Sequence, residues 1–171
     1  MVSQTYRMNS WRQSELFDFA RSGDIRGVIG LLEQRLVNVN TTNRWNQTAL
    51  YIACKKGHTA MARYLLKKGA HVCCGQTNPL IAAVRYNHYD CVKLLLENHA
   101  DANCRSAGET PMSVALQKHP TDIELILLLL RYDGIPLESF AHDIAVQLLK
   151  HTNAQHARAI RAKLINGNLF T

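Results

Sequence analysis

Residues 48–58 read TALYIACKKGH, and residues 60–70 read AMARYLLKKGA. In the first segment Leu50 and Ala53 lie three positions apart and so share one face of a helix, while Thr48 is suited to capping its first turn. The second segment has the apolar spacing of another amphipathic helix. The stretch therefore predicts two short helices joined by a tight turn, with an apolar face that one helix pair cannot bury alone.

The same pattern recurs along the chain. A second copy begins at residue 78 with NPLIAAVRYNH and continues at residue 90 with DCVKLLLENHA. A third begins at residue 110 with TPMSVALQKH and continues at residue 122 with DIELILLLLRY, and a weaker copy, SELFDFARSGD, begins at residue 14. Recurrence every 20 to 50 residues or so is typical of repeat proteins, in which stacked units bury their faces in one continuous core.

The copies also share the residues that start and stop helices. Pro79 and Pro111 stand at the first helical position, where proline is tolerated. Gly57 and Asn87 predict a left-handed turn after the first helix of their units. The second helices are expected to end at three comparable positions: Gly69, Asn98 and Gly134. Five leucines are expected in the core: Leu50, Leu65, Leu80, Leu95 and Leu128.

These segments resemble the ankyrin repeat, whose pattern is T-P-L-H-x-A-x-x-x-G-H followed by x-x-x-L-L-x-x-G-A-D-x-N. The resemblance covers residues 14–134 and implies an all-α solenoid of stacked helix-turn-helix units with short β-hairpin fingers. It divides that range into about four repeats: 14–46, 47–76, 77–104 and 105–134. The chain departs from the pattern where the usual His after the Leu is replaced, at Tyr51, Ile81 and Ser113.

The two ends of the chain are expected to close the stack. Residues 1–13 are interpreted as an N-terminal tail or a short helical extension, with Trp11 folded onto the first repeat. Residues 135–171 hold two further helical patterns and are interpreted as a helical C-terminal cap or a degenerate fifth repeat, because a solenoid must cover its last open face.

Composition is that of a globular protein with a basic excess. Apolar residues make up 47% and charged residues 19%, and 20 Lys and Arg against 13 Asp and Glu give a net charge of +7. The excess favours an acidic partner or simply solubility. The N-terminus lacks the apolar region of a signal peptide, and no apolar stretch approaches membrane-spanning length. We therefore expect a cytoplasmic or nuclear protein, monomeric in isolation, that makes no use of a membrane.

The sequence shows no catalytic constellation. Motifs such as H-E-x-x-H and G-x-S-x-G are absent, so we expect no enzyme activity and no cofactor. Cys54 and His58 could be imagined as a thiol–imidazole pair, but His58 and His88 match a position at which the family's His binds backbone groups between units. An odd number of cysteines, five, argues against a disulfide framework. A weak metal-site alternative combines His71, Cys73, His99 and Cys104, and the favoured reading has no metal.

The resemblance also implies a binding surface. Ankyrin repeats usually bind protein partners on the concave side, which is built from the finger tips and the exposed face of each first helix. Ten residues map to this surface and are expected to bind the partner: Arg21, Arg44, Trp45, Gln47, Tyr51, Lys55, Lys56, Arg85, Tyr86 and Lys118. Because they combine cations with aromatics, we expect an extended segment that carries Asp, Glu or phosphate and an apolar anchor.

Other readings of this surface remain open. A charge stripe can be merely a solvated face, and basic residues among aromatics can also track a single nucleic-acid strand. A role as substrate-receptor adaptor of a ubiquitin ligase would need a C-terminal L-x-x-x-C element, and Leu137 is followed four residues later by Ala141 instead. Asn103 and Asn40 lie where some ankyrin proteins are hydroxylated on asparagine.

Overall fold

The structure is a computed structural model that describes residues 2–72, 77–119 and 122–132. The chain divides into two compact units, residues 1–100 and 101–171. The described residues form eight helices: α1 (Val2–Ser22), α2 (Ile25–Glu33), α3 (Ala49–Lys56), α4 (Thr59–Lys67), α5 (Pro79–Arg85), α6 (Tyr89–Glu97), α7 (Pro111–Lys118) and α8 (Ile123–Arg131). This all-α architecture confirms the predicted fold class, and the first six helices belong to the first unit.

Side-chain caps begin the first helices α3, α5 and α7 of the last three repeats, as the sequence predicts for Thr48. The Thr48 hydroxyl accepts the N–H of Tyr51 at the start of α3, and the Asn78 carboxamide accepts two N–H groups at the start of α5. Thr110 forms a reciprocal capping box with Ser113 at the start of α7. These bonds satisfy N–H groups that have no partner within the helix, so they fix where each helix starts.

The helix ends follow the predicted turns with one correction. Gly57 and Asn87 have φ of 77° and 56°, so both adopt the expected left-handed conformation. After α6, however, the left-handed residue is His99, with φ of 64°, and Asn98 has φ of −99°. The Asn98 side chain instead donates to the carbonyl of Leu94. His99 therefore occupies the turn position that Gly69, with φ of 85°, occupies after α4.

Within the first unit the helices pack in two rows. The first helices α1, α3 and α5 lie side by side, each second helix packs on the first helix of its own repeat, and α4 contacts α6. All five leucines predicted in the core are buried: Leu50, Leu65, Leu80 and Leu95 in this unit, and Leu128 in the second unit. The interior of the first unit is thus a continuous apolar layer between the two rows, as stacking requires.

The predicted fingers contain very little strand. One isolated bridge pairs Thr42 with Thr48 before α3, and another pairs Ser106 with Glu109 before α7. The corresponding turn of the second repeat, at residues 73–76, lies outside the described residues. Where they are described, the fingers are therefore tight loops closed by single bridges.

The N-terminal segment continues the first helix. Helix α1 starts at Val2, so residues 2–13 extend the helix of the first repeat. Trp11, which was expected to fold onto that repeat, is instead 48% exposed, with the Arg12 guanidinium 5.3 Å from its ring centre.

The predicted C-terminal cap, residues 135–171, lies outside the described residues. No described helix is both long and apolar enough to span a bilayer.

Histidines link successive repeats of the first unit. The Nε2 atom of His58 lies 3.2 Å from the carbonyl oxygen of Arg21, and that of His88 lies 3.2 Å from the carbonyl oxygen of Lys55. A carbonyl oxygen only accepts, so both bonds place a proton on Nε2. The predicted role of His58 and His88 in binding backbone groups of the preceding repeat is confirmed.

Each histidine ring fills space that a glycine leaves open in the preceding repeat. A Cβ atom on Gly57 would lie 2.7 Å from His88 Nδ1, and one on Gly23 would lie 2.9 Å from His58 Cε1. Both glycines also have positive φ, so two independent constraints select glycine at these turns. Glycine and histidine thus form an interlocking pair that sets the spacing of neighbouring repeats.

We predict that Gly57→Ala destabilises the protein more than Gly69→Ala, its matched control. Both residues are left-handed, so both substitutions should cost about 1–2 kcal/mol from backbone strain. Only the Gly57 substitution displaces the His88 ring, because a Cβ on Gly69 meets no atom within 4 Å. Loss of the histidine bond should add about 1 kcal/mol in urea unfolding. In a His88→Ala background the two costs should become equal, and equal costs with His88 present would contradict the interlock.

Candidate functional site

The surface predicted to bind a partner comprises, on the first unit, residues at the ends of the first helices and in one finger. We call this surface the first-helix strip and define it by seven residues that the sequence predicted: Arg21, Arg44, Trp45, Lys55, Lys56, Arg85 and Tyr86. Lys118, also predicted, is exposed at the end of α7 in the second unit. The strip is therefore described on the first unit alone.

Asn43 organises the finger that carries Trp45. Its side-chain oxygen accepts the N–H groups of Trp45 and Gln47 at 2.9 and 3.0 Å, and its own N–H donates to the carbonyl of Gln47. Asn46 completes the turn with a φ of 57°. Thr77, from the next repeat, donates its hydroxyl to the carbonyl of Asn46. The finger is therefore held by bonds within the loop and by one bond from its neighbour.

This rigid loop presents Trp45 to solvent. Trp45 is 55% exposed, and the guanidinium of Arg44 lies 4.1 Å from its ring centre. That distance is well inside the range of a favourable cation–π contact. Because the ring lies outside the core, its apolar surface is available to a partner, with the arginine charge beside it.

A second cation–aromatic pair spans two repeats. Lys55 of α3 lies 5.5 Å from the ring centre of Tyr86, which follows α5, and Tyr86 stacks on His88 with ring centres 6.4 Å apart. Tyr86 remains 48% exposed. Because His88 also binds the Lys55 carbonyl, the histidine that fixes the repeat spacing also positions this pair.

Arg21 has an acidic partner that the sequence analysis did not predict. It forms a 2.6 Å ion pair with Asp18, three positions earlier on α1, and both side chains are largely exposed. The i, i+3 spacing on a helix was the signal that could have found it. Lys56 differs, since it is exposed and has no hydrogen-bond or ion-pair partner among the described residues. The strip therefore keeps a positive excess, reduced by Asp18.

The other predicted contact residues lie deeper. Gln47 is half-buried and accepts a hydrogen bond from the Asn43 side chain at 3.3 Å, so it braces the finger. Tyr51 is half-buried in the first turn of α3, where its N–H is capped by Thr48. Arg85, at the end of α5, is also half-buried. The exposed part of the strip is thus the Arg44–Trp45 pair, Tyr86 and Lys56, and the half-buried Lys55 lies beside Tyr86.

The two asparagines proposed for hydroxylation have structural contacts. The Asn40 side chain donates to the carbonyl of Gly69 at 3.1 Å and accepts the N–H of His71 at 2.9 Å, which ties the first finger to the next repeat. Asn103 donates its backbone N–H to the side chain of Asp101. Hydroxylation at either residue stays a prediction, and at Asn40 it would act on a side chain that links two repeats.

Outside the strip, the second helices carry one polar cluster. Glu33 of α2 accepts from Tyr64 at 3.1 Å and pairs with Lys68 at 2.6 Å. These bonds, the one from Lys68 first, lower the pKa of the Glu33 carboxyl. The described residues include no cluster of three His, Cys, Asp or Glu side chains placed to hold a metal ion. Cys73, of the weak metal-site alternative, lies outside the described residues.

The thiol–imidazole pairing imagined for Cys54 and His58 is not formed. His58 binds the Arg21 carbonyl and contacts Gly23, whereas the Cys54 side chain is fully buried in the core. The two groups face different neighbours, so this arrangement gives Cys54 no base to activate it.

Comparison with known proteins identifies the same repeat along the chain. A family profile described as "Ankyrin repeats (3 copies)" matches residues 16–106 and 76–141. The chain is 27% identical over 148 residues to ankyrin repeat and KH domain-containing protein mask-1 of Caenorhabditis elegans, covering 85% of this chain and 5% of that protein. It is 30% identical over 107 residues to 26S proteasome non-ATPase regulatory subunit 10 of Dictyostelium discoideum, covering 59% and 45%.

A third similar protein is protein fem-1 homolog A-like of Mus musculus. It is 31% identical over 106 residues, which cover 57% of this chain and 15% of that protein. The chain thus spans less than two thirds of the length of each of these relatives.

We predict that Asn43→Ala loosens the finger without unfolding the repeats. The substitution removes the acceptor of two N–H groups, so the order parameter of the Trp45 amide should fall from about 0.85 to below about 0.6 in ¹⁵N relaxation. The matched control is Asn38→Ala, which removes a single bond to the N–H of Asn40, earlier in the same loop. An unchanged Trp45 amide in Asn43→Ala would show that the side-chain bonds do not hold the loop.

Proposed function

The chain belongs to the ankyrin-repeat family, whose repeats mediate protein–protein interaction, and we propose that it is a non-enzymatic interaction module that binds an acidic or phosphorylated partner segment on its first-helix strip. Binding without chemistry suits an adaptor, an inhibitor that masks a partner's surface, or a docking domain, and all three roles use the same surface. We also propose that it acts in the cytoplasm or nucleus, where thiols such as those of Cys54 and Cys91 are kept reduced.

The observation that carries this proposal is the pair of preformed cation–aromatic contacts on the first unit. Arg44 with Trp45 and Lys55 with Tyr86 each combine a large apolar ring with a positive charge. Trp, Tyr and Arg are the residue types that most often dominate binding energy at protein interfaces. A segment that alternates an apolar anchor with Asp, Glu or phosphate would satisfy both components.

The shape of the finger supports a specific role for Trp45. Because Asn43 and Thr77 hold the loop, little conformational freedom remains to be lost when a partner packs on the ring. The tryptophan should therefore supply a large share of the affinity. The cations, of which Arg21, Arg44 and Lys56 are exposed, should contribute more to association rate and selectivity than to affinity.

Peptide display gives the direct test of the partner class. The full chain, immobilised and presented with a random peptide library, should enrich segments with several Asp or Glu residues around an apolar or aromatic one. A bait with Trp45→Ala and Arg85→Glu should lose this enrichment. Selection of basic or uncharged motifs would contradict the proposal, and sequence-independent capture of single-stranded nucleic acid with a steep salt dependence would favour the alternative.

We predict that Trp45→Ala weakens a selected peptide by more than about 2 kcal/mol, the level of an interface hot spot. Lys55→Ala should weaken it less but should reduce the salt dependence of binding, because it removes one partly exposed charge. Lys67→Ala is the matched control, since Lys67 is an exposed lysine in the last turn of α4 and lies outside the strip. Fluorescence anisotropy at two salt concentrations measures both quantities.

Two results would contradict this prediction. Equal affinity of the wild type and Trp45→Ala would mean that the partner binds elsewhere. An equal change in salt dependence for Lys55→Ala and Lys67→Ala would mean that only the overall charge of the protein matters.

A further inference from the structure

Three cations occupy equivalent positions in the repeats of the first unit. Arg21 and Lys55 are the next-to-last residues of α1 and α3, and Arg85 is the last residue of α5. Lys55 lies three residues before His58, and Arg85 lies three residues before His88. We call these three cations the basic ladder. Arg21 is exposed and the other two are half-buried, so all three side chains reach solvent.

The helix ends that carry the basic ladder lie next to one another. Helix α1 packs on α3, and α3 packs on α5. The His58 ring binds the carbonyl of Arg21, and the His88 ring binds that of Lys55, both at 3.2 Å. Each bond joins the end of one first helix to the turn that follows the next one. Since packed helices have axes about 8–10 Å apart, neighbouring cations of the ladder are expected at about that spacing.

That spacing favours one extended conformation of a bound chain. In polyproline II, residues three apart share one face, and at about 3.1 Å per residue they lie about 9 Å apart. In a β-strand, residues three apart are separated by about 10 Å but point to opposite faces, and residues two apart share a face at only about 7 Å. Acidic side chains at every third residue of a polyproline II segment therefore match the basic ladder.

Tyr86 favours the same conformation. It directly follows Arg85, is 48% exposed and stacks on His88 with ring centres 6.4 Å apart. The Lys55 ammonium lies 5.5 Å from the centre of its ring. Proline-rich segments bind surfaces that present aromatic rings, because polyproline II is already populated before binding and little entropy is lost. An exposed ring beside the basic ladder thus suits a segment in which prolines separate the acidic residues.

We propose that the basic ladder binds an acidic, proline-containing segment in the polyproline II conformation, with Asp, Glu or a phosphorylated residue at every third position. The inference rests on the proposed function and adds to it the spacing of the acidic groups. The ion pair of Arg21 with Asp18 does not prevent this contact, because an exposed pair is weakly held and the guanidinium has five N–H donors. Since the end of a helix disfavours an anion near its backbone, the long cationic side chains bind the acidic groups at a distance from it.

Fluorescence anisotropy with the full chain tests the spacing. Three labelled peptides of equal length carry three glutamates in a proline background, spaced two, three or four residues apart. Because each misaligned exposed ion pair loses a modest interaction, the three-residue spacing should bind about 5-fold or more tightly than the other two. The same glutamates in a glycine background, which is flexible, should bind more weakly. Equal affinity for all three spacings would overturn the inference and leave the acidic-partner function standing.

Charge-removing variants test the order of the contacts. Each glutamate of the best peptide is replaced in turn by glutamine, which weakens binding to the wild type. Arg21→Gln should be insensitive to the replacement at one end of the peptide, and Arg85→Gln to the replacement at the opposite end. Lys56→Gln, the matched control, removes an exposed lysine beside the ladder and should stay sensitive to all three. Because Arg85 is half-buried, Arg85→Lys guards against misfolding and should keep the wild-type pattern.

Two further results would overturn the inference. One is that Arg21→Gln and Arg85→Gln are insensitive to the same replacement, or to none. The other is that no peptide of the spacing series binds. An acidic peptide from the display selection, titrated in parallel, then separates the two failures: if it binds, only the spacing is wrong, and if it does not, the acidic-partner function fails as well.

Discussion

The contact between a histidine ring and the glycine of the preceding repeat is the constraint on which the first unit depends. His58 sits against Gly23 and His88 against Gly57, and each ring also binds a carbonyl at the end of the preceding first helix. The contact requires a residue without a side chain in a left-handed turn, so it couples backbone conformation to repeat spacing. Buried leucines stabilise the stack, but apolar contacts alone do not fix its register.

The same register produces the candidate binding surface. Because His88 holds the Lys55 carbonyl, the side chain of Lys55 lies over Tyr86 of the next repeat. The bond from Thr77 to the Asn46 carbonyl braces the finger of Trp45 in the same way, from the repeat that follows. Structural bonds between repeats thus position the exposed aromatics. Both rings remain about half exposed to solvent, where a partner can contact them.

Local rules explain what the sequence could predict. Helix caps, left-handed turns and buried leucines depend on residues close in the chain, so Thr48, Gly57 and Leu95 could be assigned from pattern alone. His99 was missed because histidine is an uncommon left-handed residue that the structure accepts at a glycine position. The bond from Thr77 to the Asn46 carbonyl joins two repeats, so only their stacking shows it.

Chemical-shift mapping tests the central claim, that the interlocked repeats present a preformed binding surface, most directly. An acidic peptide with one apolar anchor, titrated into the ¹⁵N-labelled chain, should shift the Trp45 indole and the amides around Lys55 and Tyr86. The chemical shifts of α3 and α5 amides that are buried in the core should stay unchanged, since no rearrangement is needed. Shifts centred on the second-helix cluster of Glu33, Tyr64 and Lys68, or none around Trp45, would contradict the account.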